Sequence, residues 1–345
     1  MSRGSSSPGE WRREDLEAVP LCPVCGSRER SVWYDHLQDR LFARAPGRWT
    51  LCRCHGCGSG YLDPRPDSAS IGRAYGGYYT HDEISAQQAP LRRWKLALRN
   101  GYLNSRYGYS ERPAIPLPHP LYPARWRHRM SRSIRHLSRP GSAVPRLLDL
   151  GCGNGSFLSC MQQLGWEGFG LEPDQRAVRA ARGAGLAVEQ GVLTESTFPS
   201  GLFDAVTMNH VIEHLHEPVK MLQLCHRVLR PGGILWIATP NVASLGLARF
   251  GPAWRGLEPP RHLVLFTLGA LQGALERAGF EPARAPLLGM GARWMYRASA
   301  RLRLGDRPLS AVARLRAKSQ ALLDDRRTRR QPHFAEEIVL QARKR

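Results

Sequence analysis

The chain has 345 residues, 42% of them hydrophobic, enough for one large α/β domain with a small appendage or for two domains. Fifty Lys and Arg against 29 Asp and Glu leave a formal charge of +21, which points to anionic partners (nucleic acid, lipid headgroups, phosphorylated or acidic substrates) and says nothing about fold. No apolar run approaches the ~20 residues of a membrane-spanning helix, and "MSRGSSSPGEWRRED" lacks the apolar core of a secretory signal, so a soluble, cytoplasmic chain is expected.

In chain order, residues 1–19 are polar and read as a disordered tail. Residues 20–65 carry five of the eight cysteines. "LCPVCGS" supplies Cys22 and Cys25, and "LCRCHGCGSGY" supplies Cys54 and Cys57. Two C-x-x-C knuckles, each followed by a glycine that eases the turn, let four thiolates converge on Zn²⁺. Four thiolates leave no open position, so such a zinc is structural, and residues 20–65 read as a zinc-ribbon module. Cys52 and His55 are spare ligands. Redox chemistry, the other use of C-x-x-C, lacks the βαβ pattern that accompanies it. Residues 66–144 are rich in Arg, Tyr and Trp, are broken by "RPAIPLPHPLYP", and read as a basic helical linker or lid.

From residue 145 to 345 short apolar runs alternate with helical patterns, the signature of a doubly wound α/β sheet with crossover helices. "RLLDL", "WEGFGLE", "LAVEQ", "FDAVTMNH" and "GILWIATPN" read as successive strands. "SFLSCMQQLG" and "DQRAVRAARGAG", the second with Asp174 as N-cap, read as helices. So do "EPVKMLQLCHRVLRPGG", stopped at Pro-Gly-Gly, and "TLGALQGALERAGF". A basic insertion with weak helical patterning spans 287–332, and "EEIVLQARK" alternates like a last strand.

The stretch "LLDLGCGNGSF" places Gly151, Gly153 and Gly155 in a turn between the first strand and its helix, where glycines let a ligand approach the main chain. The turn lacks the Lys-Ser/Thr of a triphosphate loop and the spacing of a dinucleotide loop. Asp149 directly before it repels pyrophosphate and suits a cationic group. Glu172 ends the second strand 21 residues after Gly151, close to the ~20-residue spacing at which an acid reaches a ribose diol. A nucleoside with a free ribose and a cationic, non-phosphate tail is wanted, and S-adenosylmethionine fits that description.

"LLDLGCGNGSF", "GLEPD", "FDAVTMNHVIEHLHEP" and "RVLRPGGILWIATPN", in this order, resemble a class I S-adenosylmethionine-dependent methyltransferase from about Arg146 to Phe280, and "EEIVLQARK" resembles the final antiparallel strand of that fold. The resemblance implies that Gly151, Cys152, Gly153, Asn154 and Gly155 line the methionine and ribose part, that Asp149 orients the methionine amino group, and that Glu172 takes the ribose hydroxyls. It puts Gly191 and Val192 near the adenine, by a backbone amide, and Asn209 at the cofactor edge. The cysteine module, the following "GYLDPRPDSASIGRAYGGYY" and "GLEPPRHLVLFT" extend the resemblance to bacterial methyltransferases of polysaccharide and secondary-metabolite biosynthesis.

Methyl transfer is an in-line displacement in which the enzyme aligns reactants and excludes water, and a hydroxyl or carbon acceptor often also needs a general base. Candidates are His210, Glu213 and His214 after the fourth strand, and His262 on a loop after the fifth. For Glu213, His214 and His262 a purely structural role stays open. His216 and His226 read as helix-surface residues, and Cys152, Cys160 and Cys225 as small buried hydrophobes. The leading expectation is methyl transfer to a small-molecule, sugar or lipid-linked glycan acceptor. An RNA methyltransferase and a catalytically silent zinc-ribbon scaffold are the alternatives. For the basic zones, solvated helix faces, an anionic acceptor, a membrane surface and RNA all remain open.

Overall fold

The computed structural model describes residues 11–76, 93–281, 289, 291–305, 307–308 and 310–345. In chain order the strands are β1 (Leu16–Glu17), β2 (Arg30–Leu37), β3 (Trp49–Cys54), β4 (Gly60–Leu62) and β5 (Arg65–Pro66). The helices α1 (Arg93–Tyr107) and α2 (Ala124–Ser133) come next. They are followed by β6 (Arg146–Leu150), α3 (Ser156–Gln162), β7 (Glu167–Glu172), α4 (Gln175–Gly183), β8 (Ala187–Gln190) and β9 (Phe203–Asn209). The remainder is α5 (Pro218–Val228), β10 (Leu229–Pro240), α6 (Leu245–Phe250), β11 (Val264–Leu265), α7 (Leu268–Arg277), α8 (Ala292–Leu304), α9 (Ala311–Thr328) and β12 (Glu337–Arg343).

A six-stranded sheet has the order β12-β10-β9-β6-β7-β8. β6 pairs in parallel with β7 on one side and β9 on the other, and β7 pairs in parallel with β8. The expected doubly wound fold is therefore present. Chain order reverses between β6 and β9, and ligands of open α/β sheets bind at the carboxyl ends of strands at such a switch point. β6 reads Arg-Leu-Leu-Asp-Leu, and its last four residues are all buried, so both of its faces are covered, as in parallel sheets generally. Asp174 caps α4 by accepting from the Arg176 amide at 2.9 Å.

Residues group into two compact units: Met1–Tyr78, His210–Gln223 and Ile237–Gln341 in one, and Tyr79–Asn209, Leu224–Trp236 and Ala342–Arg345 in the other. Within the first, a four-stranded sheet has the order β11-β4-β3-β2. Val264 and Leu265 thus pair with Tyr61 and Gly60, so the cysteine-bearing sheet is completed by a strand some 200 residues away. The expected boundaries at 65 and 145 do not coincide with the edges of these units. One core cluster explains why: Leu37, Trp49, Leu51 and Leu62 pack with Val242, Trp254, Leu265 and Tyr296.

Three expectations need correction. Residues 11–19 are not a loose tail: Leu16–Glu17 pairs with Arg65–Pro66, and the Trp11 and Trp49 rings meet edge-on at 5.5 Å; residues 1–10 lie outside the described part. The helix expected to run to Pro-Gly-Gly ends at Val228, and β10 takes those residues because Gly232 donates to the Lys344 carbonyl and Lys344 to that of Gly233, both at 2.9 Å. The helical patterning of the 287–332 insertion is realised among the described residues as α8, with Ala292, Met295, Tyr296 and Ser299 buried at helical spacing, and α9. His216 precedes α5 instead of lying on a helix surface, half-buried, its Nε2 donating to the Pro66 carbonyl at 2.9 Å; His226 does lie on α5. The Tyr-rich segment after residue 76 lies outside the described residues.

Candidate active site

The turn after β6 runs through three left-handed glycines, with φ of 66° at Gly151, 57° at Gly153 and 82° at Gly155. A Cβ on Gly155 would also lie 2.2 Å from Leu186 Cδ1, so this position excludes every side chain on two grounds. Glu172, at the carboxyl end of β7, is buried, and both its oxygens hold backbone: Oε2 accepts from the Gly153 amide at 2.9 Å and Oε1 from the Asp174 amide at 3.0 Å. A carboxylate oxygen has about two acceptor sites, so each retains capacity for a further donor such as a ribose hydroxyl. Cys152 is buried, and Asn154 Oδ1 accepts from the amide and hydroxyl of Ser156 at 3.1 and 2.8 Å. Gly191 donates its amide to the Glu172 carbonyl at 3.1 Å, Val192 is 55% exposed beside it, and Asn209 ends β9 half-buried.

Asp149 is fully buried, and its Oδ1 is held by Arg135 Nη1 and by the Thr207 hydroxyl, the latter at 2.8 Å. Arg135 lies over the Phe157 ring, 3.6 Å from its centroid. The sequence offers no sign of this arginine, which is one of several in "SRSIRHLSR". Asp149 Oδ2 has no hydrogen-bond partner. A buried carboxylate oxygen left unpaired in this way is costly, and it is an acceptor that suits a cofactor ammonium group. The left-handed turn, the spare lone pairs of Glu172 and this orphan oxygen together fit S-adenosylmethionine.

The histidine group lies in the other unit and is described by itself. His210 has a left-handed backbone and sits between two carboxylates, Nδ1 at 3.2 Å from Glu213 and Nε2 at 2.8 Å from Glu337. Burial disfavours its charged form, but the hydrogen bonds to Glu213 and Glu337 outweigh this and raise its pKa. An imidazolium so held has no lone pair to offer. Glu213 is fully buried and also accepts from the Thr239 hydroxyl at 2.9 Å. Despite burial, His210 keeps it well below the usual carboxylate range.

His214 and His262 meet with ring centroids 4.9 Å apart. His214 Nδ1 is 2.9 Å from the Arg261 carbonyl and 3.0 Å from the Tyr75 hydroxyl. His262 Nδ1 is 2.7 Å from the Gly256 carbonyl. A carbonyl only accepts, so each Nδ1 carries the hydrogen and each Nε2 is left with its lone pair. Burial pushes His262 down to about 4, against the pull of the Glu258 carboxylate. Glu213, His214 and His262 each present one ligand atom within 4.8 Å of the others.

Arg261 holds this loop. It is fully buried, grips Asp39 through both terminal nitrogens at 2.5 and 3.1 Å, and reaches Glu258 at 3.1 Å and the Ala74 carbonyl at 2.9 Å. Burial alone raises Glu258, but His262, Arg255 and Arg261 overcome it and hold it at about 2. Asp39, Tyr75, Glu258, Arg261 and Glu337 escaped sequence reasoning because no spacing marks them: they come from distant segments.

In the same unit, Cys22, Cys25, Cys54 and Cys57 converge within 4.8 Å. Sulfur separations are 3.7 Å for Cys22 and Cys57 and 3.5 Å for Cys25 and Cys54. A tetrahedron with Zn–S of ~2.3 Å has edges of about 3.8 Å, so the donor set fits zinc. The two knuckles repeat one another: Cys22 donates to the Ser27 carbonyl and Cys54 to that of Ser59, both at 2.9 Å, and Gly26 and Gly58 have φ of 75° and 74°. Cys52 lies outside the cluster, and His55 Nε2 is 2.9 Å from the Ser31 hydroxyl instead.

A reversed strand order at β6 and β9, a left-handed glycine turn and a carboxylate at the end of the adjacent strand define a doubly wound enzyme that binds a nucleoside cofactor. Comparison with known proteins gives the family. The family described as a methyltransferase domain matches residues 122–284. The ubiquinone biosynthesis O-methyltransferase of Caulobacter vibrioides is 30% identical over 210 residues, covering 51% of this chain and 78% of that protein. The protein of the same name from Xanthomonas oryzae is 32% identical over 169 residues, covering 46% and 67%. A solved S-adenosylmethionine-dependent methyltransferase from Archaeoglobus fulgidus aligns with a TM-score of 0.43 at 22% identity, over 59% of this chain and 87% of that one. The chain belongs to the class I S-adenosylmethionine-dependent methyltransferases and is a methyltransferase.

Proposed function

We propose that the chain methylates an oxygen of a small-molecule, sugar or lipid-linked glycan-precursor acceptor in the cytoplasm. The names of the curated relatives favour oxygen, and the observation that carries cofactor use is Glu172, clamped by the Gly153 and Asp174 amides with acceptor capacity to spare. S-adenosylmethionine supplies the electrophilic methyl group. Glu172 takes the ribose hydroxyls, Asp149 the ammonium, and the loop from Gly151 to Gly155 lines the rest, with Gly191 and Val192 beside the base and Asn209 at the edge. Cys22, Cys25, Cys54 and Cys57 hold a structural zinc in the module of residues 20–65.

His214 takes the proton of the acceptor hydroxyl on Nε2, because its Nδ1 is committed to the Arg261 carbonyl. The Glu213 carboxylate stabilises the imidazolium that forms, and His262, neutral by burial, fixes the ring. His210 keeps Glu213 ionised instead of acting as a base. Replacing His214 by Ala lowers kcat ~10²–10⁴-fold, while affinity for S-adenosylhomocysteine stays at the wild-type value. Wild-type turnover in that variant would reject the assignment. Loss of turnover on chelation, restored by a divalent cation with the zinc still bound, would turn Glu213, His214 and His262 into metal ligands instead.

A further inference from the structure

We propose that the outer face of α8 and α9 docks on an anionic membrane surface. α9 is 18 residues long yet buries only Ala321 and Asp324. Its exposed side carries Val312, Leu315, Leu322 and Leu323, 60%, 63%, 42% and 56% exposed. Large apolar side chains left in water over one helix face mark an interaction site when they are clustered and not scattered singly.

Cations share that face. Arg293 and Arg297 from α8, and Arg314 and Lys318 from α9, line a groove of about 450 Å³ with Leu315, Ala311 and Ala317, and among the described residues no carboxylate lines it. Residues 291–330 hold 12 Lys and Arg against three Asp. Two of those three are committed inward: Asp324 accepts from the Tyr296 hydroxyl at 2.7 Å and Arg249 at 3.2 Å, and Asp325 from the Ala292 amide at 2.8 Å. The groove cations are therefore not neutralised by them.

The partner must satisfy both features at once. Ala311, Arg314, Leu315, Lys318 and Leu322 recur at three- and four-residue spacing, so leucine and cation alternate along one stripe. A polyanion such as RNA meets the cations and leaves the leucines in water. An apolar protein surface meets the leucines and strands the cations. A bilayer supplies phosphate at headgroup level and hydrocarbon beneath it, and Arg and Lys stems reach up to the one while leucines enter the other. No described helix is long and apolar enough to cross a membrane, so the contact lies in the interface plane.

The test uses the full chain and flotation with two kinds of vesicle, phosphatidylcholine alone and phosphatidylcholine with phosphatidylglycerol. Binding is expected to the anionic vesicles, weakening with salt. Replacing Arg293, Arg297, Arg314 and Lys318 together by Gln lowers apparent affinity on the order of 10³-fold, at about 1 kcal/mol for each cation. Replacing Leu315, Leu322 and Leu323 by Ser, with every cation kept, lowers it by at least about tenfold. All seven side chains are exposed, so both variants melt as the wild type does. Absence of vesicle binding, equal binding to both vesicle types, or binding unmoved by the leucine changes overturns the proposal. So does RNA binding at the same salt that matches vesicle binding and ignores the leucines, or self-association abolished by the leucine variant in protein that ignores vesicles.

Discussion

Replacing Glu172 by Ala tests the cofactor site and its support together. The carboxylate holds the Gly153 and Asp174 amides at 2.9 and 3.0 Å, so its loss leaves two loop donors without their charged acceptor. Hydrogen bonds to charged groups contribute about 1.5–3 kcal/mol each. Water entering the space left by the side chain recovers part of that, leaving a loss of about 2 kcal/mol in stability. The ribose contact is a further charge-assisted pair of about 2 kcal/mol, or roughly 30-fold in affinity. Calorimetry with S-adenosylhomocysteine reads the second quantity and thermal melting the first. Glu172→Gln separates them: it keeps the shape and one acceptor oxygen for a backbone amide, so it melts closer to wild type than Glu172→Ala, yet binds weakly, because a neutral amide with one acceptor oxygen cannot make the charge-assisted pair with the ribose hydroxyls. A folded Glu172→Ala variant with wild-type affinity would falsify the assignment of the ribose site.

Three further outcomes follow from the same structure. Arg261→Met strands the buried carboxylates of Asp39 and Glu258, and breaking a buried pair costs about 3–5 kcal/mol, so the melting temperature falls; an unchanged melt refutes the bridging role. Glu336, buried between the Trp254 indole at 2.8 Å and the Gly246 amide at 2.7 Å, is pushed up by desolvation, against those two bonds, to about 7 from the ordinary 4.5. A raised folded-state pKa gives stability that is complete below the unfolded value and lost as pH rises through the folded one, so stability should fall by roughly 3 kcal/mol between about pH 4 and 8. Glu336→Gln flattens that slope whatever its absolute melting temperature, and a retained slope excludes Glu336 as its source. Freshly purified protein should carry one equivalent of zinc. Because Thr267 donates to the Cys57 carbonyl at 3.1 Å and Arg277 to that of Val24 at 2.7 Å, its removal should raise hydrogen exchange in β11 and α7 as well as in the knuckles; exchange confined to residues 20–65 would show the module folding alone.

Local chemistry was legible because it is written in spacing. Gly151, Gly153 and Gly155 announced a turn whose left-handed backbone needs them, and Glu172 announced itself by its distance along one βαβ unit. Cys22, Cys25, Cys54 and Cys57 announced their convergence through two repeated knuckles. Alternating apolar runs were enough to order the parallel strands, since each buried strand and amphipathic helix carries its own period. Pro-Gly-Gly misled because a local stop signal lost to pairing with Lys344, which only the far end of the chain supplies.

What the sequence by itself determined, then, is the methyltransferase sheet, its glycine turn and the four-cysteine set, all built from residues near one another in the chain or repeated at a fixed interval. Tertiary structure alone decided that Val264–Leu265 completes the cysteine-bearing sheet, that Arg135 holds Asp149, and that Arg261 ties Asp39 to Glu258 beside His262. It also decided which histidines offer a lone pair. An arginine or histidine looks the same in the sequence whether it faces water or a buried carboxylate. Its charge state and tautomer belong to partners up to 222 residues away, as Asp39 is from Arg261.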